Sequence, residues 1–279
     1  MQKLHSYMLS LEEDSNKNPP GTTEQYTAKR LTDLKNCSGE KVTNVTGRWM
    51  SMANGPASIH GWTAQAANII CKNLELWFGN LQETEGSPPK WTYTKCTADN
   101  LEVEGSKGTT TACPPNPNHN YWSGLGFSTE LSGNKREHRS LMICMDVISI
   151  LLTVYNNVNN CQNQELCYNN TLVCEALYEW YKEWGGEKVA KEIMKFLFSK
   201  GERSVRVRGQ EIQIERSPSE FWAKILGIKG LRIAGLQCQA TDWPTDNWNM
   251  TCLHRSKGDS CQVMGDQAWE EYEVIKTRG

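Results

Sequence analysis

The sequence has no apolar run long enough to cross a bilayer; its longest, LMICMDVISILLTV at 141–154, is too short and carries Asp146. It also lacks charge of one sign. Thirty Lys and Arg stand against 32 Asp and Glu, with a pI near 6.2, so no global field draws the protein to nucleic acid or an anionic membrane. A phosphate loop, a GxSxG elbow, paired metal histidines and a CxxC are all missing. GLGFS at 124–128 follows no strand and opens no clear helix, so it reads as a turn. The five histidines, His5, His60, His119, His138 and His254, are scattered. His60, beside Trp62, reads as packed or surface, and His138, in the charged NKREHRS, as solvated. The nearest approach to a zinc set is Cys252 with His254 and then Cys261, a spacing common by chance. No catalytic, metal or cofactor residue is expected on these grounds. The N-terminal MQKLHSYMLSLEEDSNKNPPGTTEQ has no apolar core followed by a small-residue cleavage site, so it is not read as a signal peptide.

What is abundant is cysteine, 11 in 279 residues, with 11 tryptophans beside it. Such density in a loop-rich chain favours an oxidising, extracellular compartment and a disulfide framework. The candidates are Cys37, Cys71, Cys96, Cys113, Cys144, Cys161, Cys167, Cys174, Cys238, Cys252 and Cys261. An odd number leaves one thiol over, or joined to a partner or absent segment. Extracellular composition without a signal implies either unconventional export or a piece cut from a longer protein.

Residues 1–30 read as a flexible polar lead-in, broken by Pro19-Pro20-Gly21, and 31–279 as a cysteine-rich helical domain with sub-lobes at 31–134 and 135–279. Ile59, Trp62, Ala66, Ile70, Leu74 and Trp77 recur at helical spacing after Pro56, with Gly79 as a stop. Residues 84–134 form an irregular excursion that disulfides through Cys96 and Cys113 would anchor. Leu141, Cys144, Met145, Ile148, Leu151, Leu152 and Tyr155 make one helical face. A second helix is expected from about Leu166 to Trp184, stopped by Gly185-Gly186, and a third carries Val189, Ile193, Phe196 and Leu197. Short connections make 140–201 a three-helix unit. SVRVRGQEIQIER sets Val205 and Val207 against Ile212 and Ile214 in a hairpin. Ser217, Pro218 and Glu220 then compose a capping box that opens a helix through EFWAKIL. The segment CQATDWPTDNWNMTCLHRSKGDSC reads as turn-rich. The fold expected is mainly α: a disulfide-stapled helical domain with long irregular loops and one short β-hairpin.

Contact chemistry is sparse. Arg206 and Arg208 point away from the apolar side of the hairpin and could face an acidic ligand, although a solvated face balanced by Glu211 and Glu215 is the favoured reading. Trp62, Trp77, Trp180 and Trp222 fall on apolar helical faces, whereas Trp243 and Trp248 lie in cysteine-bracketed loops, either as contact aromatics or as cover for a disulfide. Asn36, Asn44, Asn169 and Asn249 begin Asn-x-Ser/Thr sequons, of which Asn44, Asn169 and Asn249 are glycosylation candidates. Cys37 would crowd a glycan on Asn36. Roughly three sequons are expected by chance in this composition, so they are no argument for secretion. Cys144 or Cys174 is expected to bond across the helix pair, and Cys161 or Cys167 to tie down a loop cysteine.

SLMICMDVISILLTVYNNVNNCQNQELC and LVCEALYEWYKEWGGEKVAKEIM resemble the ectodomains of the schizont-infected cell agglutination antigens of malaria parasites, over about a third of the chain. The resemblance implies a modular variant antigen on the infected red-cell surface, anchored by a membrane segment outside this chain and reaching the surface without an orthodox signal. It implies antigenic variation and adhesion, with antibodies and a host cell-surface protein or acidic glycan as partners. KRLTD at 29–33 departs from the parasite export pentamer at Lys29, and no functional residue transfers from the family. A scaffold with reduced thiols, or a thiol-dependent enzyme, is the alternative.

Overall fold

The computed structural model describes residues 3–21, 29–41, 48, 57–93, 113, 118, 120–126, 128–157, 159–160, 166–198, 203–207, 210–214, 233–242 and 247–255. Its helices are α1 (Lys3–Lys17), α2 (Ala57–Asn80), α3 (Arg136–Asn156), α4 (Val173–Gly185) and α5 (Glu187–Phe198), with 3₁₀ turns at Leu31–Asn36 and Trp122–Gly124. The fold is mainly α, as the periodicity implies.

The centre is α3. It packs against α1, α2 and α4 and is buried continuously from Ser140 to Val154. The sequence assigns it a single apolar face, but with neighbours all round, its polar positions are buried as well. α2 runs antiparallel to it, since Cys71 meets Cys144 while Asn68, one turn earlier, meets Met145. The Cys71–Cys144 disulfide spans 73 residues and ties the two proposed sub-lobes together. The described apolar residues of both share one core cluster.

The expected flexible lead-in over 1–30 is corrected for Lys3–Lys17. Residues 3–17 are a helix whose Leu4, Tyr7, Met8 and Leu11 are at most 2% exposed, a stripe at helical spacing that the intervening polar residues conceal. Those polar residues are held too. Lys3 donates to the Leu81 carbonyl and lies over the Trp91 ring, 5.3 Å from its centroid, while Ser10 donates to the Arg206 carbonyl at 2.8 Å. Asn18, just past the helix, reaches the α4–α5 corner, where Gly186 takes φ 92 and a Cβ would collide with the Asn18 carbonyl.

The second predicted helix starts later than its periodicity suggests. Leu166–Tyr168 and Thr171–Leu172 are short strands, β6 and β7, and α4 begins only at Val173. The reason is local: Asn169 and Asn170 take φ 50 and 64, left-handed conformations that Asn tolerates and that close a two-residue hairpin. α4 and α5 then follow one another as expected.

There is more strand than one hairpin. β1 (Ser38–Lys41) pairs with β4 (Glu130–Ser132), and β5 (Asn159–Asn160) with β6. The expected hairpin, β8 (Arg203–Val207) and β9 (Gln210–Ile214), sets Val205 opposite Ile212, and all four of its branched residues are buried. It joins β2 (Leu81–Thr84) and β3 (Lys90–Tyr93) in a sheet ordered β2-β3-β9-β8, in which β3 and β9 are parallel. The segment read as turn-rich contributes β10 (Ile233–Asp242) and β11 (Asn247–Arg255), an antiparallel pair. Its frequent polar residues mask the period of two. The helix expected after Ser217 lies outside the described residues.

Candidate functional site

The most chemically suggestive cluster joins elements far apart in sequence. His5 on α1 places Nε2 2.5 Å from Glu75 Oε1 on α2 and Nδ1 3.1 Å from Ser140 Oγ on α3. Serine, imidazole and carboxylate stand in the order used to activate a nucleophile. The surroundings give them other work. Ser140 Oγ lies 2.9 Å from the Glu137 carbonyl, to which it can donate, and accepts from Trp122 Nε1 at 3.2 Å. The Glu75 carboxylate accepts the backbone N–H groups of Tyr121 and Trp122 at 2.7–3.0 Å. Ser140, Glu75 and His5 are 0%, 1% and 2% exposed, so a substrate carbonyl has no approach to the hydroxyl. The cluster is a clamp: charge-assisted hydrogen bonds dock the 120–126 segment onto α2 and α3, and the His5 ring stacks obliquely on Trp122 at 4.7 Å.

A second cluster lies deeper. Arg48 Nε and Nη2 both reach Asp146 Oδ2 at 2.6 Å, with no exposure on either side chain. Trp184 Nε1 donates to the same oxygen at 3.0 Å, and Arg48 Nη2 to the Arg30 carbonyl at 2.7 Å. The aspartate inside the longest apolar run therefore holds an arginine and α4. Nearby, Tyr181 donates to the Val147 carbonyl at 2.9 Å, and burial pushes its phenol well above the ordinary range.

His138, expected in solvent, is 8% exposed and accepts the Ser132 N–H on Nδ1 at 3.1 Å. Burial, then Lys135, lowers its pKa, with Glu137 opposing. This correction reflects its place at the first turn of α3, under the β4 turn. There a Cβ on Gly133 would strike the Leu34 carbonyl.

The proposed ligand face lies along the hairpin and α5. Arg206 is half-buried and opposite Glu211. It also helps to hold down the pKa of Glu192, which burial raises. Lys188 pairs with Asp14 at 2.7 Å, Lys191 with Glu187 at 2.8 Å, and Lys195 with Glu211 at 3.9 Å. Cations and carboxylates are matched along this face, which suits a solvated surface better than an anion site. Trp248 lies on β11 opposite Ala240, and Asn249 opposite Gln239. Arg208, Trp243 and Asn44 lie outside the described residues. Trp77 and Trp180 are core residues, at 5% and 1% exposure.

Of the cysteines, Cys71 and Cys144 are joined, and Cys113, Cys167 and Cys174 are each half of a disulfide. Cys37 donates its thiol to the Asp33 carbonyl at 3.6 Å. Cys238 and Cys252 lie on β10 and β11, while Cys96, Cys161 and Cys261 fall outside the described residues. Among those residues, no three His, Cys, Asp or Glu side chains are grouped to hold a metal ion, and no helix is long and apolar enough to cross a membrane.

Sequence reasoning misses His5, Glu75 and Ser140 because their meeting depends on three separate helices. Asp146 is the one available signal: a charge in an apolar run demands a partner. At the level of class, this is a disulfide-stapled helical domain whose polar clusters secure its own loops. No protein-family model, curated protein or solved structure matches the chain.

Proposed function

We propose that the chain is a non-enzymatic display and binding domain on the extracellular face of a membrane, of the kind carried by variant surface antigens on infected host cells. The observation that carries this reading is the Cys71–Cys144 bridge at the centre of the core, with Cys113, Cys167 and Cys174 also disulfide-bonded. Such a framework belongs to an oxidising compartment. Closing a loop of 73 residues contributes roughly 4 kcal/mol in the chain-entropy account, enough to hold a domain whose surface loops vary. The resemblance of the 140–194 region to agglutination antigens supports antigenic display, with antibodies as partners and anchoring through a segment outside this chain. The matched charges around Arg206 favour a host protein over an acidic glycan as the adhesive partner.

Intact mass of the native protein, alkylated with and without prior reduction, tests the reading. The five half-cystines named above are expected to resist alkylation until reduced. Eleven reactive thiols in the folded protein would sink the proposal and favour an intracellular scaffold.

A further inference from the structure

Tyr168-Asn169-Asn170-Thr171 is a sequon folded as a hairpin turn. Tyr168 and Thr171 are cross-strand partners, and the two asparagines between them are exposed, at φ 50 and 64. The base of this turn is fixed, because Cys167 and, three residues beyond Thr171, Cys174 are both disulfide-bonded. Among the described residues, the other two sequon asparagines lack this combination. Asn249 sits within the β11 ladder. Asn36 is exposed at the end of a 3₁₀ turn, but it is followed by Cys37, whose thiol bonds back to Asp33.

We propose that Asn169 is an N-glycan acceptor, taking its sugar from a lipid-linked pyrophosphate oligosaccharide; this rests on the extracellular reading above. The Asn169 amide nitrogen attacks the anomeric carbon of the reducing-end sugar. An N–C bond forms, the bond from that carbon to pyrophosphate oxygen breaks, the lipid pyrophosphate leaves, and an amide proton passes to a base of the transferase. Thr171 supplies the hydroxyl that the transferase requires at the third sequon position.

The folded turn suits the product. Both asparagines of the turn are exposed, so an enlarged amide at Asn169 displaces no packed side chain. Tyr168 and Thr171, paired across the turn, stand side by side as cross-strand neighbours do. Tyr168 itself is only 6% exposed and packs at a tilt against Trp180, ring centroids 5.9 Å apart, so the base of the turn is rigid. Because Asn169 is exposed, a glycan there leaves the core undisturbed.

The test is to route the 279-residue chain into the endoplasmic reticulum of cultured cells with an added cleavable leader. The secreted protein is then treated with peptide N-glycosidase in ¹⁸O-water, and the Asn169 peptide is read by mass spectrometry. The expected result is ¹⁸O-marked aspartate at 169 in wild type and in Thr171→Ser, and none in Thr171→Val. Asn169→Asp, which tolerates the same turn, should lose one glycan from the intact mass. Unmodified Asn169 in protein whose Cys71–Cys144 bridge has formed overturns the site and leaves the display reading standing. Unmodified Asn169 in protein without that bridge overturns the stapled-domain reading on which the site depends.

Discussion

The bundle centre and the α5–hairpin face both carry paired charges, but with opposite consequences. At the centre, Arg48 and Asp146 are wholly buried, and neither charge can turn to water if the other is lost. On the face, Lys191 and Glu187 retain 32% and 59% of their exposure and have solvent as an alternative partner. Lys188–Asp14 falls between, at 39% and 13%. The same chemical pair is thus a structural commitment in one place and a surface ornament in the other.

The largest effect is expected from splitting the buried pair. Asp146→Ala leaves the Arg48 guanidinium and Trp184 N–H facing a vacated site, and should cost roughly 3–5 kcal/mol in urea unfolding, enough to unfold many domains of this size. Replacing both partners, as Arg48→Met with Asp146→Leu, removes the stranded charge and should recover much of that loss. A double variant as unstable as the single one would show that the pair is held for its geometry instead of its charge balance.

A smaller effect on the same helix comes through pH. His138 accepts the Ser132 N–H on Nδ1, which requires that nitrogen unprotonated. Its folded pKa lies below the ordinary value, chiefly through burial, so on acidification the unfolded chain binds the proton first. Stability is therefore expected to be intact above about pH 6.5 and to decline as pH falls from there toward the depressed folded value. The loss should stay within about 1–3 kcal/mol, the cost of leaving a buried donor unsatisfied. His138→Asn, whose amide oxygen can take the place of Nδ1, should flatten this part of the unfolding profile. An unchanged slope would place the pH sensitivity elsewhere.

How much of this was readable depends on whether the determining contact was local. Ile70, Leu74 and Trp77 mark α2 because their spacing alone selects a helix, and Val205, Val207, Ile212 and Ile214 mark the hairpin in the same way. α1 was concealed because Lys3, His5, Ser10, Glu12 and Asp14 look solvated until their distant partners are known. Asp146 was visible as an anomaly, but nothing in the sequence points across 98 residues to Arg48. The cysteines were plain as staples, yet the Cys71–Cys144 pairing required the antiparallel register of α2 and α3. The Glu75 clamp was illegible for the same reason, since its backbone donors at Tyr121 and Trp122 lie in a stretch without periodicity.

The smallest effect completes the contrast. Lys191 and Glu187 form an i,i+4 pair on the exposed side of α5, in the favourable order with glutamate toward the helix start. Lys191→Ala removes that attraction, but alanine is the better helix former and the glutamate stays hydrated. The two terms nearly cancel, so the unfolding free energy should change by no more than about 0.5 kcal/mol. Removing the same kind of charge at Arg48 should cost several times as much, because there the abandoned carboxylate is fully buried. If Lys191→Ala instead proved as damaging as a buried substitution, the α5–hairpin face would have to be covered by a partner, and the surface reading of that network would fall.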